Sequence, residues 1–277
     1  MKNNYHESVM VKEVIKSLHI NKSSQIIDAT LGTGGHSQAI INLGGKVLGI
    51  ERDPKILAIA KDRLKETGKF VLENFTNIDK IAKENNFSKV TGILLDLGVS
   101  NIHLKEDNRG FSFSDSSQAL DMRLNPNSQG VKASDLLNVL DKTQLTNLFA
   151  KIVNFANAKK IAERIVNVRP ITTVGELNLC LEDLPHKRSL NPATLPMLAL
   201  RIAVNSELEN LEEVLPKAFN LLENGGRLLV ITFHSGEERI VKDFFKGKGE
   251  VVLPSQEEIF NNQKSRSAKL YILEKKL

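Results

Sequence analysis

The sequence predicts an α/β protein in which a doubly wound, mostly parallel sheet of seven strands carries an inserted helical domain. Three observations lead there. Through residues 9–96 apolar strand segments alternate with helical patterns, the rhythm of βαβ units. A glycine loop follows the first strand, where such sheets place a ligand. After the fourth strand about 130 residues pass before the next strand signal, far more than a crossover needs.

Taken in order, strand patterns fall at 25–29, 46–50, 70–72 and 91–96, and helical periodicity at 9–18, 36–43, 54–66 and 78–84. Pro54 suits a first helical turn, because its fixed φ is already helical and its missing N–H would have no partner there. The long gap reads as helices at 133–140, 143–152, 156–168, 174–184, 195–205 and 208–222. Glu223-Asn224-Gly225-Gly226 announces a fifth strand at 227–233, and 250–253 and 269–274 complete the sheet. The expected division is a sheet domain of residues 1–107 and 201–277 around an inserted helical domain of residues 108–200.

Bulk composition narrows the setting. With 277 residues, 41% of them apolar and 26% charged, the chain can bury a full α/β core and support a smaller second unit. No apolar run approaches the roughly 20 residues that span a bilayer. The start, Met1-Lys2-Asn3-Asn4-Tyr5-His6-Glu7, lacks the apolar core of a secretion signal. Cys180 is the only cysteine, so no internal disulfide can form. A cytoplasmic protein is expected, with Cys180 in the core. A formal charge of +5 permits a polyanionic partner and equally fits proteins that have none. The absence of tryptophan and the presence of only two tyrosines leave phenylalanine and charge to grip a nucleic acid.

The chemistry concentrates where strands end. Ile26-Ile27-Asp28-Ala29-Thr30-Leu31-Gly32-Thr33-Gly34-Gly35-His36-Ser37 runs from a strand through the glycine loop into a helix. Glu51 ends the second strand about 20 residues after Gly32, the separation between a nucleotide loop and the acid that takes ribose hydroxyls. A dinucleotide fingerprint would need a third glycine where Ser37 stands. Asp28, just before the loop, would repel a pyrophosphate but accept hydrogen bonds from an amino group. The pattern therefore favours S-adenosylmethionine; the plainer reading is a glycine turn beside an ordinary surface acid. Asp96 ends a fourth strand that is apolar on both faces, and a carboxylate there is costly unless it is paired, caps a helix or faces a ligand. Phe75, after the third strand, suits either an adenine ring or the core.

Other candidates lie further along. Arg109-Gly110-Phe111-Ser112-Phe113, with Leu120-Asp121-Met122-Arg123, reads as a lip that admits a base or as a loop leading into the helical insert. Arg201, Asn205 and Glu207 form a polar set at helical spacing, suited to a solvated face. His234, after the fifth strand, is a site candidate or a satisfied core histidine. H-E-x-x-H, paired-cysteine, P-loop and G-x-S-x-G patterns are absent from the sequence, so no metal is expected in the site.

These residues resemble the MraW-type (RsmH) ribosomal RNA small-subunit (cytosine-N4)-methyltransferase family. The match runs through His6-Glu7-Ser8-Val9-Met10, the 28–37 loop, the 93–100 strand end, the 109–113 and 120–123 segments, Asn191-Pro192-Ala193-Thr194, 200–208, 225–242 and 264–270. The resemblance implies a class I S-adenosylmethionine-dependent methyltransferase, Rossmann-like, that methylates N4 of a cytidine in the decoding region of 16S rRNA, within the small ribosomal subunit. It implies cofactor contacts at Gly34, Gly35, His36, Glu51, Phe75, Asp96 and His103. Asp96, or a carbonyl near 97–100, would accept from the amine, and Arg109, Arg201 and His234 would grip the flipped-out nucleotide or its phosphates. The chain departs from the family at Glu51, where many members carry aspartate, and at His103, usually glutamine. It departs again at Asn101, Gly236 and Asn154-Phe155-Ala156. The other readings are an RNA-binding ribosome assembly factor with a vestigial cofactor pocket and a nicotinamide-dependent dehydrogenase.

Overall fold

The structure, a computed structural model, describes residues 8–105, 108–113, 115–184 and 191–276. The His6-Glu7 part of the first family run lies outside them. Two compact units make up the chain, one of Met1–Ser100 with Leu208–Leu277 and the other of Asn101–Glu207. The helical unit extends beyond 108–200 at both ends.

In the first unit α1 (Val11–Leu18) leads into β1 (Gln25–Asp28). There follow α2 (Gly35–Asn42), β2 (Lys46–Glu51), α3 (Pro54–Leu64), β3 (Lys69–Leu72), α4 (Ile78–Glu84) and β4 (Val90–Asp96). The helical unit holds α5 (Asn101–Lys105), α6 (Ala133–Val139), α7 (Lys142–Ala150), α8 (Phe155–Val168), α9 (Val174–Leu181) and α10 (Thr194–Asn205). The chain returns through α11 (Glu207–Leu221) to β5 (Leu222–Thr232), α12 (Ser235–Phe245), β6 (Glu250–Val252), α13 (Gln256–Asn261) and β7 (Lys269–Glu274).

The strands form one seven-stranded sheet in the order β3-β2-β1-β4-β5-β7-β6. Pairings from β3 across to β5 are parallel, whereas β7 runs antiparallel to β5 and β6. The chain steps outward from β1 to β3 and then returns to lay β4 on the other side of β1. This puts the switch in strand order between β1 and β4, with Asp28 and Asp96 at their carboxyl ends. β4 sits in the middle of the sheet, and its run Gly92-Ile93-Leu94-Leu95 is buried, as expected for a strand covered on both faces.

Local chemistry fixes the helix ends. Asp53 Oδ1 accepts from the Lys55 N–H at 2.8 Å, with Pro54 in the first turn of α3 as expected. Val14 and Leu18 of α1, one turn apart, enter a core cluster with Ile26, Ile40, Leu94, Leu229 and Leu270. Burying each such side chain contributes roughly 1.5–3 kcal/mol.

Periodicity assigns no helix to 235–245, yet α12 stands there, with Ile240, Val241 and Phe245 buried. Its signal is a capping box of His234 and Glu237, hidden because that histidine draws attention as a chemical group. β5 begins at Leu222, earlier than expected, because Leu222 pairs with Val90 before an irregularity in register.

In the helical unit Leu137, Leu145, Phe149, Ile161, Ile165, Leu177 and Leu200 are buried, and Cys180 is buried with them. Burial pushes the Cys180 thiol up from its ordinary value. The set Arg201, Asn205 and Glu207 is not a solvated face. Asn205 is fully buried. Its Oδ1 accepts from the Leu124 N–H and Gln129 Nε2, each at 3.0 Å. Its Nδ2 donates to the carbonyls of Met122 and Arg201 at 2.8 and 2.9 Å. Replacing Asn205 with leucine would strand those partners, so the variant is expected to lose about 3 kcal/mol of stability. Denaturant unfolding followed by circular dichroism would measure it.

Candidate active site

The carboxyl ends of β1, β2 and β4 bring three acids and a glycine loop together. Asp28 is 1% exposed, and its Oδ2 accepts from Ser37 Oγ at 2.7 Å. The residue standing where a dinucleotide fingerprint needs its third glycine thus serves the acid instead. Asp28 Oδ1 is buried without a hydrogen-bond partner among the described residues. Burial pushes the Asp28 carboxyl up, against the opposing pull of His36 and Ser37.

The loop itself depends on two glycines. Gly34 caps α2 at φ +81°, a left-handed conformation, and a Cβ there would lie 2.6 Å from Leu64 Cδ1. A Cβ on Gly35 would collide with Ser8 Oγ. The turn that carries Ser8 is tied down from the far end of the chain, where Glu258 Oε1 accepts from the Met10 N–H at 3.0 Å and from Ser265 Oγ at 2.6 Å. Ser8 falls in a family run, but its place against the loop and the whole part of Glu258 were not legible, because nothing local in the sequence joins residues so far apart.

Glu51 closes the loop from β2. Its Oε2 accepts from the Gly32 N–H at 2.9 Å, and its Oε1 from the Arg52 and Asp53 N–H groups at 2.8 Å each. Burial still outweighs those bonds and pushes the Glu51 carboxyl up to about 7.

Asp96 ends β4. Thr30 Oγ1 accepts from its backbone N–H at 2.6 Å, another contact that the sequence did not flag. His36 Nε2 stands 3.4 Å from Asp96 Oδ2, and the Asp96 side chain is 21% exposed. Asp96 Oδ1 is buried and has no hydrogen-bond partner among the described residues. Phe75, half-buried, opens a single 3-10 turn after β3. His234 heads α12, its Nδ1 accepting from the Gly236 and Glu237 N–H groups at 3.2 and 3.4 Å.

The remaining candidates belong to the helical unit. His103 on α5 is buried, its ring centroid 5.1 Å from that of Phe111. Arg109 Nη1 donates to the carbonyls of Arg123 and Leu124 at 2.7 and 2.8 Å, and its guanidinium lies 5.6 Å from the Phe111 ring. Arg201 pairs with Glu207 through two hydrogen bonds of 2.9 Å.

What would fill the first unit's site follows from its donor set. Asp28, Glu51 and Asp96 offer carboxylate oxygens, some of them buried and unpaired, beside a loop whose missing Cβ atoms keep it close-packed. Acceptors of that kind suit a ligand with an ammonium group, a positive sulfur and a ribose diol, and reject a pyrophosphate. Fold and site together define a class I S-adenosylmethionine-dependent methyltransferase. Residues 3–251 match the MraW methylase family, and the chain belongs to that family. It is 40% identical to the ribosomal RNA small subunit methyltransferase H of Dictyoglomus thermophilum, over 98% of this chain and 97% of that one. It is 41% identical to the protein of the same name from Methylacidiphilum infernorum, over 96% and 93%. Among solved structures, an rRNA methylase from Streptococcus thermophilus aligns at a TM-score of 0.49 with 13% identity, covering 99% of this chain and 100% of that one.

Proposed function

We propose that this protein methylates N4 of a cytidine in the decoding region of 16S rRNA, within the small ribosomal subunit and in the cytoplasm, where that RNA resides. The observation that carries the reading is Asp96, a partly exposed carboxylate at the switch point of the sheet, with one buried oxygen that has no partner among the described residues. The names borne by the two relatives supply the RNA class.

S-adenosylmethionine supplies an electrophilic methyl group, which the amine nitrogen takes with its lone pair while the carbon–sulfur bond breaks and its electrons pass to sulfur. Cytosine's amino lone pair is conjugated into the ring, so an acceptor must draw on an N–H and turn that pair toward the methyl. Asp96 is the proposed acceptor, and one N–H proton passes to its carboxylate. Asp28 holds the cofactor's amino end, Glu51 accepts from the ribose hydroxyls, Gly34, Gly35 and His36 shape the loop, and Phe75 packs against the base. His103 completes that set as a proposal from the helical unit. Arg109, Arg201 and His234 are proposed to meet the RNA through side chains whose orientation is already fixed by the bonds they make. The helical unit as a whole is proposed to recognise the substrate.

Glu51 gives the cofactor step a pH dependence. Ribose hydroxyls donate best to an ionised carboxylate, and Glu51 is held up to about 7. Cofactor affinity is therefore highest above pH 7 and falls as Glu51 protonates, by up to about tenfold per pH unit. Calorimetric titration from pH 5.5 to pH 8 would show it, and Glu51→Gln should flatten the curve.

The proposed function is tested by transfer of labelled methyl to small subunits from cells lacking this protein, followed by nucleoside mass spectrometry. N4-methylcytidine at one decoding-region position is the expected product. Transfer to another atom or another RNA would replace the proposed target. Subunit binding with no cofactor binding would leave an assembly factor with a vestigial pocket.

A further inference from the structure

Methyl transfer to an exocyclic amine releases one N–H proton, so the accepting carboxylate must be aimed before the reaction starts. One imidazole in the first unit is placed to do that. His36, on the first turn of α2, is 3% exposed, and its Nε2 lies 3.4 Å from Asp96 Oδ2. Among the described residues neither of its ring nitrogens has another hydrogen-bond partner. Three carboxyl groups pull on its charge, Asp28 from β1, Asp96 from β4 and Glu258 from α13. Arg63 of α3 meets the same loop, but through the Thr33 carbonyl at 3.3 Å. A separation of 3.4 Å is loose for a charged pair, and such pairs tighten when substrate completes the site.

We propose that His36 is a positioning residue for methyl transfer: its Nε2, 3.4 Å from Asp96 Oδ2, holds the Asp96 carboxylate in the orientation that receives the amine proton. The inference rests on the reading of Asp96 as that acceptor. Burial by itself pushes the His36 ring down, but Asp96, Asp28 and Glu258 outweigh it and hold the imidazole above its ordinary value. A cation so held persists to higher pH than an ordinary imidazolium and is lost as pH rises through the raised value. The rate at saturating cofactor should therefore carry an alkaline limb that belongs to His36.

The test measures kcat against pH for the full chain with small ribosomal subunits and saturating cofactor, alongside cofactor Kd and melting temperature for each variant. His36→Gln, whose amide donates at every pH, is expected to stay within about tenfold of the wild-type kcat and to lose the alkaline limb. His36→Leu, which donates nothing, is expected to lose kcat by about 10²-fold while still folded and saturable with cofactor. A wild-type alkaline limb in His36→Gln, or a wild-type kcat in His36→Leu, would overturn the proposal. Asp96→Asn, measured in parallel, separates the two readings. Wild-type kcat there removes Asp96 as acceptor, whereas kcat lost in Asp96→Asn but kept in both His36 variants removes only the positioning role.

Discussion

Asp96→Ala is expected to lower methyl transfer by a factor on the order of 10² to 10⁴, the range supplied by a positioned proton acceptor, or about 3–5 kcal/mol of transition-state stabilisation. The fold should survive for three structural reasons. The bond from Thr30 is made to the Asp96 backbone N–H, which alanine keeps. The substitution takes from His36 Nε2 the carboxylate 3.4 Å away, but an imidazole left without it can give up its proton instead of staying buried and charged. The β4 backbone stays paired with β1 and β5. Single-turnover assays at saturating cofactor, with circular dichroism as a control, would check the pair of expectations. Near-normal turnover would take Asp96 out of the chemistry.

Glu51→Ala should act on binding rather than on the chemical step. It removes the proposed acceptor of the ribose hydroxyls and also strands the N–H groups of Gly32, Arg52 and Asp53. A hydrogen bond to a charged group contributes about 1.5–3 kcal/mol, so the cofactor Kd is expected to rise roughly 10- to 150-fold for each bond lost. The orphaned amides should also lower stability by about 1–3 kcal/mol. Glu51→Asp keeps the charge and is expected to retain most of the affinity. Equilibrium dialysis with labelled cofactor distinguishes the two variants, and an unchanged Kd in Glu51→Ala would show that the ribose is held elsewhere.

Much of the fold was legible because its signals are local. The glycine loop, Pro54 and the apolar run of β4 each mark an element through its own backbone chemistry, and α4 and β7 fall at 78–84 and 269–274 as expected. Asp28, Glu51 and Asp96 could be read as a group because strand ends in a doubly wound sheet share one edge. What stayed hidden depends on partners distant in sequence. The role of Asn205 is set by Met122, Leu124 and Gln129, which no periodicity connects to it. Thr30 acquires its role only when β4 lies beside β1. α12 was missed for a different reason: a histidine that caps a helix looks, in sequence, like a histidine that does chemistry.

The interruption of the sheet unit between Ser100 and Leu208 also sets an order of events on the ribosome that makes this chain. Asp28, Gly34, Gly35, Glu51 and Asp96 all emerge early, but β4 then waits with an unpaired edge until β5 is synthesised. The clasp from Glu258 and Ser265 onto Met10 arrives later still. A nascent chain therefore carries every acid of its cofactor loop long before its sheet is complete, and methyl-donor binding would mark the moment at which synthesis has delivered the last strands.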